Sequence, residues 1–295
     1  MKKYIQFLIF SGLFVQTGNA QETVYPAKEN IGQFYITHAT IHVGNGQVIN
    51  DGIIKVTNNK IETVGTNITV GGGAKVFDLK GKHVYPGLIS PITNLGLREV
   101  ANGVRGSNDF GELGEINPSI RAIVAYNTDS KVINTLRSNG ILLANVIPQD
   151  ETAGNKPLIT GTSSVVQLDA WNWEDAAYKT DAGIHFTMPS LIARPRGFGG
   201  GGGPPGGPIA NAPQVDVVKQ GLEQVDRIKS FFKEAQAYSA IDTHDETNLK
   251  FTAVKGLFDK TKKLYVHANT VKQMLIALDF VKEFGFDVVI VGGSD

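Results

Sequence analysis

The chain has 295 residues, enough for one large domain or two smaller ones. Hydrophobic residues at 41% and charged residues at 19% describe an ordinary globular protein, and 28 Lys and Arg balance 28 Asp and Glu, so no basic field exists to recruit nucleic acid or anionic lipid. Cysteine is absent, which removes disulfides, thiolate nucleophiles and Cys-based zinc sites together.

The N-terminus reads as a targeting segment outside the fold. Lys2 and Lys3 give a charged start, Ile5 to Val15 is an apolar run broken by Gln6, Ser11 and Gly12, and Gly18-Asn19-Ala20 supplies the small residues of a cleavage site. Residues 1–20 are therefore expected to be a signal peptide, with a periplasmic or secreted mature protein. Gln21 after the cut argues against a lipid anchor, and no later run approaches the roughly 20 apolar residues of a membrane span.

Residues 33–84 read as short strands joined by tight turns. Phe34 to Val43 largely alternates, Gly44-Asn45-Gly46 turns the chain, Gly52 to Val56 follows, and Asn58-Asn59 precedes Lys60 to Gly65. After Gly87 the pattern becomes strand and helix alternation, the mark of a parallel sheet or barrel. Thr128 to Ser138 reads as a helix stopped by Gly140, and Ile141 to Val146 as a buried strand. Leu158-Ile159 and Ser164 to Leu168 fit either a hairpin or a further strand. Arg194 to Pro213, with five consecutive glycines at 199–203, has little side chain to bury and is expected to be a flexible Gly/Pro-rich loop. It lacks the Lys and Ser/Thr of a phosphate cradle. Helices are expected at Val215 to Ala237 and Asn248 to Lys260, then a strand at Lys263 to Ala268, a helix at Val271 to Phe284 and a strand at Asp287 to Val291, making a β-α-β unit.

Two stretches carry a family resemblance. Val76-Phe77-Asp78-Leu79-Lys80-Gly81-Lys82-His83-Val84-Tyr85-Pro86-Gly87 and the Leu88-Ile89 that follow resemble the entrance to the barrel of metal-dependent amidohydrolases of the imidazolonepropionase-like kind. Val266-His267-Ala268-Asn269 resembles the V-H-A-H end of that family's fifth barrel strand. The resemblance implies an α/β fold: a small β-sandwich domain over 21–85, then a partial TIM-type (β/α)8 barrel over 86–295. It also implies hydrolysis of C–N bonds in amides or peptides, in which a metal-bound hydroxide attacks the carbonyl and an aspartate relays the proton. Five or six βα units in 87–295 fall short of a full barrel of about 250 residues, so the chain is expected to be a fragment.

The family's metal ligands are largely replaced. Where its first strand reads P-G-[LF]-I-D-x-H-x-H, this chain has Ser90 for the Asp, Ile92 for the first His and Asn94 for the second. Gly292 stands where the family's next strand ends in His. His267 alone keeps a family ligand position, so a divalent metal, zinc or similar, would have His267 as its only recognisable ligand, against the three protein ligands a catalytic zinc needs. No catalytic residue is assigned. The other five histidines, His38, His42, His83, His185 and His244, receive no site role. Asp242 to Glu246 reads as a helix cap, and the loop from Glu99 to Asn127, with Asp109, Glu112, Glu115, Arg105 and Arg121 and with Arg98 just before it, as a solvated loop near the barrel mouth that could take a polar ligand. Trp171 and Trp173 beside Glu174 and Asp175 fit a sugar or peptide ligand or plain packing.

Two functional readings follow. One is an exported amidohydrolase-like protein acting on a small-molecule amide or peptide. The other is a non-catalytic relative that keeps the barrel to bind a ligand or a partner subunit, as a homo- or hetero-oligomer.

Overall fold

A computed structural model describes residues 26–28, 31–99, 109–149, 157–192, 216–241 and 243–295. The signal-peptide reading of 1–20 and the Gly/Pro-rich loop at 194–213 lie outside these residues, as do Arg105 and Asp242.

Alternation builds the first sheet. Strand β1 (Gln33–His42) buries Tyr35, Thr37, Ala39 and Ile41, with Phe34 and Ile36 partly buried against the small core as well. It pairs antiparallel with β2 (Val48–Thr57), which pairs with β3 (Lys60–Gly65) across the two-residue turn Asn58-Asn59. Both asparagines have positive φ, 48° and 61°, as a turn that follows the strand twist requires. Strands β4 (Lys75–Asp78) and β5 (His83–Val84) lie parallel along the other edge of β1. Ala39, Ile41, Ile54 and Val56 form its small core. Instead of the sandwich expected over 21–85, the described strands form one five-stranded sheet, because β4 and β5 both add to β1 rather than pairing with each other in a second layer.

The second sheet holds six strands in sequence order: β6 (Leu88–Thr93), β7 (Ile141–Val146), β8 (Ile159–Gln167), β9 (Ala177–Thr187), β10 (Lys263–Ala268) and β11 (Val288–Gly292). It curls into a half-barrel. Five strands run one way, and β8 runs against both neighbours. Leu158-Ile159 and Ser164 to Leu168, open between a hairpin and a further strand in the sequence, fall largely in one strand, β8, which breaks the parallel strand–helix alternation expected after Gly87. Residues 168–176 are the whole link from β8 to β9, too short for a parallel crossover, so the chain turns back as a hairpin.

The helices follow their caps. Helix α1 (Lys131–Ser138) starts later than expected because Asn127 accepts from the amide of Asp129 and holds 127–129 in a turn; Gly140, at φ 82°, ends it. Helix α2 (Trp173–Ala176) is a single turn capped by Asn172. Asp216 caps α3 (Val217–Ser239). Helix α4 (Leu249–Phe258) is capped by Asn248, whose side chain accepts from Lys250 and Phe251, and not by residues of the 242–246 segment; His244 there stacks on Tyr238 instead. Helix α5 (Val271–Phe284) opens with a capping box of Thr270 and Gln273 and closes at Gly285, φ 71°. Among the described residues no helix is long and apolar enough to cross a membrane.

The main core lies between the last three helices and one face of β9 and β10. Ile184, Phe186, Leu264, Val266 and Ala268 meet Ile228 and Phe232 of α3, Val254 and Leu257 of α4, and Ala277 and Phe280 of α5. Phe232 is its hub, fully buried with its ring centre 5.1–6.0 Å from those of Phe231, Phe280, Phe284 and Phe286. Replacing Phe232 with Ala is expected to lower the unfolding free energy by about 3–5 kcal/mol in a urea titration. A loss under roughly 1 kcal/mol would show that the site collapses around the gap.

Candidate functional site

Strands β6, β7, β9, β10 and β11 all end at the same edge of the sheet, where barrels of this type keep their chemistry. At that edge stand two histidines. The β9–β10 register sets Gly183 opposite Lys263, His185 opposite Tyr265 and Thr187 opposite His267. Period-two alternation sends Ile184, Phe186, Val266 and Ala268 to the helices, which leaves His185, Tyr265 and His267 together on the other face.

Their geometry is close. His185 Nδ1 lies 3.0 Å from His267 Nε2. The Tyr265 ring stacks on His185 at 4.7 Å between centres with 6° between planes. Gly183 is what permits this, since the Tyr265 ring fills the space a side chain there would need. His185 is fully buried, His267 half-buried. Burial and then the neighbouring His267 hold the His185 imidazole well below the usual histidine range; burial alone lowers His267. Both rings are thus neutral at pH 7, and the hydrogen bond between them carries one proton. His185 Nε2 has no hydrogen-bond partner. A buried N–H with no acceptor is the costlier orphan, which places the His185 proton on Nδ1, donating to His267 Nε2. His267 then carries its own proton on Nδ1.

The pair is anchored on both sides. The amide of Met188, just after β9, donates to the His267 carbonyl at 3.0 Å, and Gln273 Nε2 donates to the Pro189 carbonyl at 2.8 Å, which ties α5 to the end of β9.

The other sequence-singled residues are dispersed. Ser90 and Ile92 lie in β6 and Asn94 just beyond it, on the far side of β7, β8 and β9 from His267. Gly292 ends β11 with φ 104°, and the Asn269 carboxamide occupies the position its side chain would take, so no histidine fits there without rearrangement. Asp109, Glu112 and Arg121 line a cavity of about 300 Å³ with Leu97, Phe110 and Pro148, so part of the 99–127 loop walls a pocket that is mainly apolar with a few charged groups. Glu115 is drawn away to Arg227 at 2.7 Å, Arg121 Nε donates to Asp181 at 2.7 Å, and the Arg98 guanidinium lies 5.4 Å from the Phe110 ring centre. Trp171 and Trp173 sit in the β8–β9 link at the opposite edge of the sheet, half-exposed and remote from the histidines.

His185 is the residue that sequence reading missed. Its signal was a lone imidazole in an otherwise apolar strand, Ala182-Gly183-Ile184-His185-Phe186, but its partner is 82 residues away.

The residues do not fit a standard catalytic zinc centre. Two imidazoles bonded to each other fall short of three ligands with an open position, and among the described residues no group of three or more His, Cys, Asp or Glu side chains is placed to hold a metal ion.

The neutral pair sets the sign of a pH effect. The folded pKa of His185 lies below its unfolded value near 6.5, so the unfolded chain takes up the extra proton first and stability falls as pH drops through 6.5 toward the folded value. Thermal unfolding from pH 8 to 5 is expected to show this acid loss, approaching about 1.4 kcal/mol per pH unit for one such group. His185→Phe should flatten the slope; an unchanged slope would mean that His185 is charged or solvated in the fold.

No family model matches the chain, and no curated protein does. Solved structures do. An amidohydrolase from Thermotoga maritima superposes with a TM-score of 0.69 at 21% identity, over 87% of this chain and 63% of that one. A prolidase complexed with N-methylphosphonate-L-proline (12% identity, TM-score 0.40, 88% of this chain and 66% of that one) and a further amidohydrolase (14%, 0.33, 88% and 66%) overlap too loosely to carry an argument. This chain spans about 63% of the length of the Thermotoga protein. What it shares with that protein is the amidohydrolase fold.

Proposed function

We propose that this chain is an exported amidohydrolase-like protein that has kept the strand-end site of the fold for a small amide or peptide, with a His185–His267 pair where the family holds its metal. The observation that carries this reading is the 3.0 Å contact between the buried His185 and the half-buried His267, both neutral imidazoles near the ends of β9 and β10. His267 is half-buried, and with its Nε2 accepting from His185 its Nδ1 carries the N–H, the kind of donor an amide carbonyl accepts. His185 fixes the ring plane and tautomer of His267 and is itself held by Tyr265. Export rests on the charged, apolar and small-residue order of residues 1–20.

The second reading is a hydrolase whose metal-activated water attacks the C–N bond. His267 favours it, because it stands at the strand end where the family resemblance puts a ligand. Metal content by plasma mass spectrometry, on wild type and His267→Ala, separates the two. Binding without hydrolysis predicts no metal whose retention depends on His267. One or more equivalents per chain lost on His267→Ala would overturn the proposal in favour of a rebuilt metal centre. Intact mass of the exported protein is expected to start at Gln21.

A further inference from the structure

The sequence holds three Asn-Gly pairs, at 45–46, 102–103 and 139–140. The second lies outside the described residues, and the other two sit in opposite settings. Glycine after asparagine matters chemically: with no side chain, its amide nitrogen can approach the asparagine carboxamide and displace ammonia. Whether it does so depends on how free those two groups are.

Asn45-Gly46 forms the tip of the turn between β1 and β2. The chain is tied just below it. The Val43 amide donates to the Gln47 carbonyl at 3.1 Å, His42 Nε2 lies 2.9 Å from His83 Nδ1, and Tyr85 stacks on His42 with ring centres 4.2 Å apart. The tip itself is open to water. Residues 43–48 are all exposed, and nothing lies within 4 Å of where a side chain on Gly46 would stand. No acceptor among the described residues takes the Gly46 amide. Asn45 Oδ1 accepts from the Gln47 amide at 3.0 Å, which folds the carboxamide forward across the Gly46 peptide. The same bond places a donor on the oxygen that gains negative charge when the carboxamide carbon is attacked.

Asn139-Gly140 ends α1, and there both groups are occupied. Asn139 Nδ2 donates to the Thr135 carbonyl at 2.7 Å, turning the carboxamide back along the helix, and the Gly140 amide donates to the Arg137 carbonyl at 2.9 Å. Ring closure needs Asn139 Cβ and the Gly140 nitrogen eclipsed about the Cα–C bond between them, and the Asn139 ψ of 10° holds them far from that. Reaching the closed geometry breaks both hydrogen bonds.

We propose that Asn45 is a site of spontaneous deamidation and that the fold protects Asn139 from the same reaction. The Gly46 nitrogen bonds to Asn45 Cγ, the Cγ–Nδ2 bond breaks, and the proton lost by Gly46 ends on the departing ammonia. Water then opens the cyclic imide at either carbonyl, leaving aspartate or isoaspartate at position 45. No oxidant or reductant takes part. The product puts a new negative charge on the turn, and the isoaspartate form adds a carbon to the backbone beside Gly44, which faces the Pro86 ring. The site is independent of the strand-end pair and of the function assigned to it.

The test is peptide mapping by mass spectrometry after the folded, full chain has stood at mildly alkaline pH. Asn45 is expected to convert at least about tenfold faster than Asn139, because closure at Asn139 first breaks two hydrogen bonds. Both aspartate and isoaspartate should appear at 45. In concentrated urea the two rates should converge, since the protection of Asn139 belongs to the fold. Asn45→Gln should keep the melting temperature and leave the turn peptide unmodified at that position, its longer side chain closing a larger ring more slowly. An Asn45 that stays intact, an Asn139 that reacts as fast in the folded chain, or a rate ratio unchanged in urea would overturn the proposal.

Discussion

The alternation of β9 and β10 is the constraint on which the rest of the barrel half depends. Ile184 and Phe186 of β9 and Leu264, Val266 and Ala268 of β10 enter the phenylalanine-rich core shared with α3, α4 and α5. The intervening residues are thereby forced together on the other face, and His185, Tyr265 and His267 meet there without any contact having to select them individually. A one-residue slip of β10 against β9 would exchange the two sets, sending His267 into the core and Val266 to the site. The register is secured by apolar burial worth about 1.5–3 kcal/mol per large side chain. The hydrogen bond between the histidines is worth far less, so the core positions the site and not the reverse.

At the same strand ends the residues beside His267 form one closed local arrangement. Where the resemblance expects a second histidine after His267, Asn269 turns its carboxamide into the space beside Gly292, and the chain there closes on itself through Gly293 N to Ala268 O and Asp295 N to Asn269 O. Gly292 tolerates that approach because it has no Cβ and a left-handed φ. Asn269, just past the end of β10, and Gly292, at the end of β11, are thus one local arrangement: a carboxamide and the glycine that leaves it room.

Much of this was legible from local pattern. The β10–α5–β11 unit was readable because its helix has a clean 3.6-residue period, a Thr270/Gln273 capping box and a terminal Gly285, and its strands are short apolar runs. The hairpin at Asn58-Asn59 was readable for the same local reasons. What was not legible depends on pairing at a distance. Direction is invisible in an isolated strand, so the reversal of β8 emerged only from the short link that follows it. The single-layer small sheet depends on which edge β4 and β5 choose, and nothing in Lys75–Asp78 or His83–Val84 encodes that choice locally. His185 reads as one more histidine until β9 and β10 are set side by side, and the same holds for His42 and His83 across β1 and β5.

A buried histidine with one nitrogen unpartnered is a poor way to stabilise a sheet. An apolar residue of similar volume at position 185 would stack on Tyr265 equally well and leave no polar atom unsatisfied, a defect that costs on the order of 1–3 kcal/mol. The fold nevertheless makes specific room for the imidazole: Gly183 yields its side-chain space to Tyr265, Tyr265 holds the ring of His185, and His185 in turn holds His267 at the half-open strand end. Each step gives up some packing or strand propensity to orient the next. A connected series of such local compromises, ending at the half-buried His267, is what supports the proposed strand-end site.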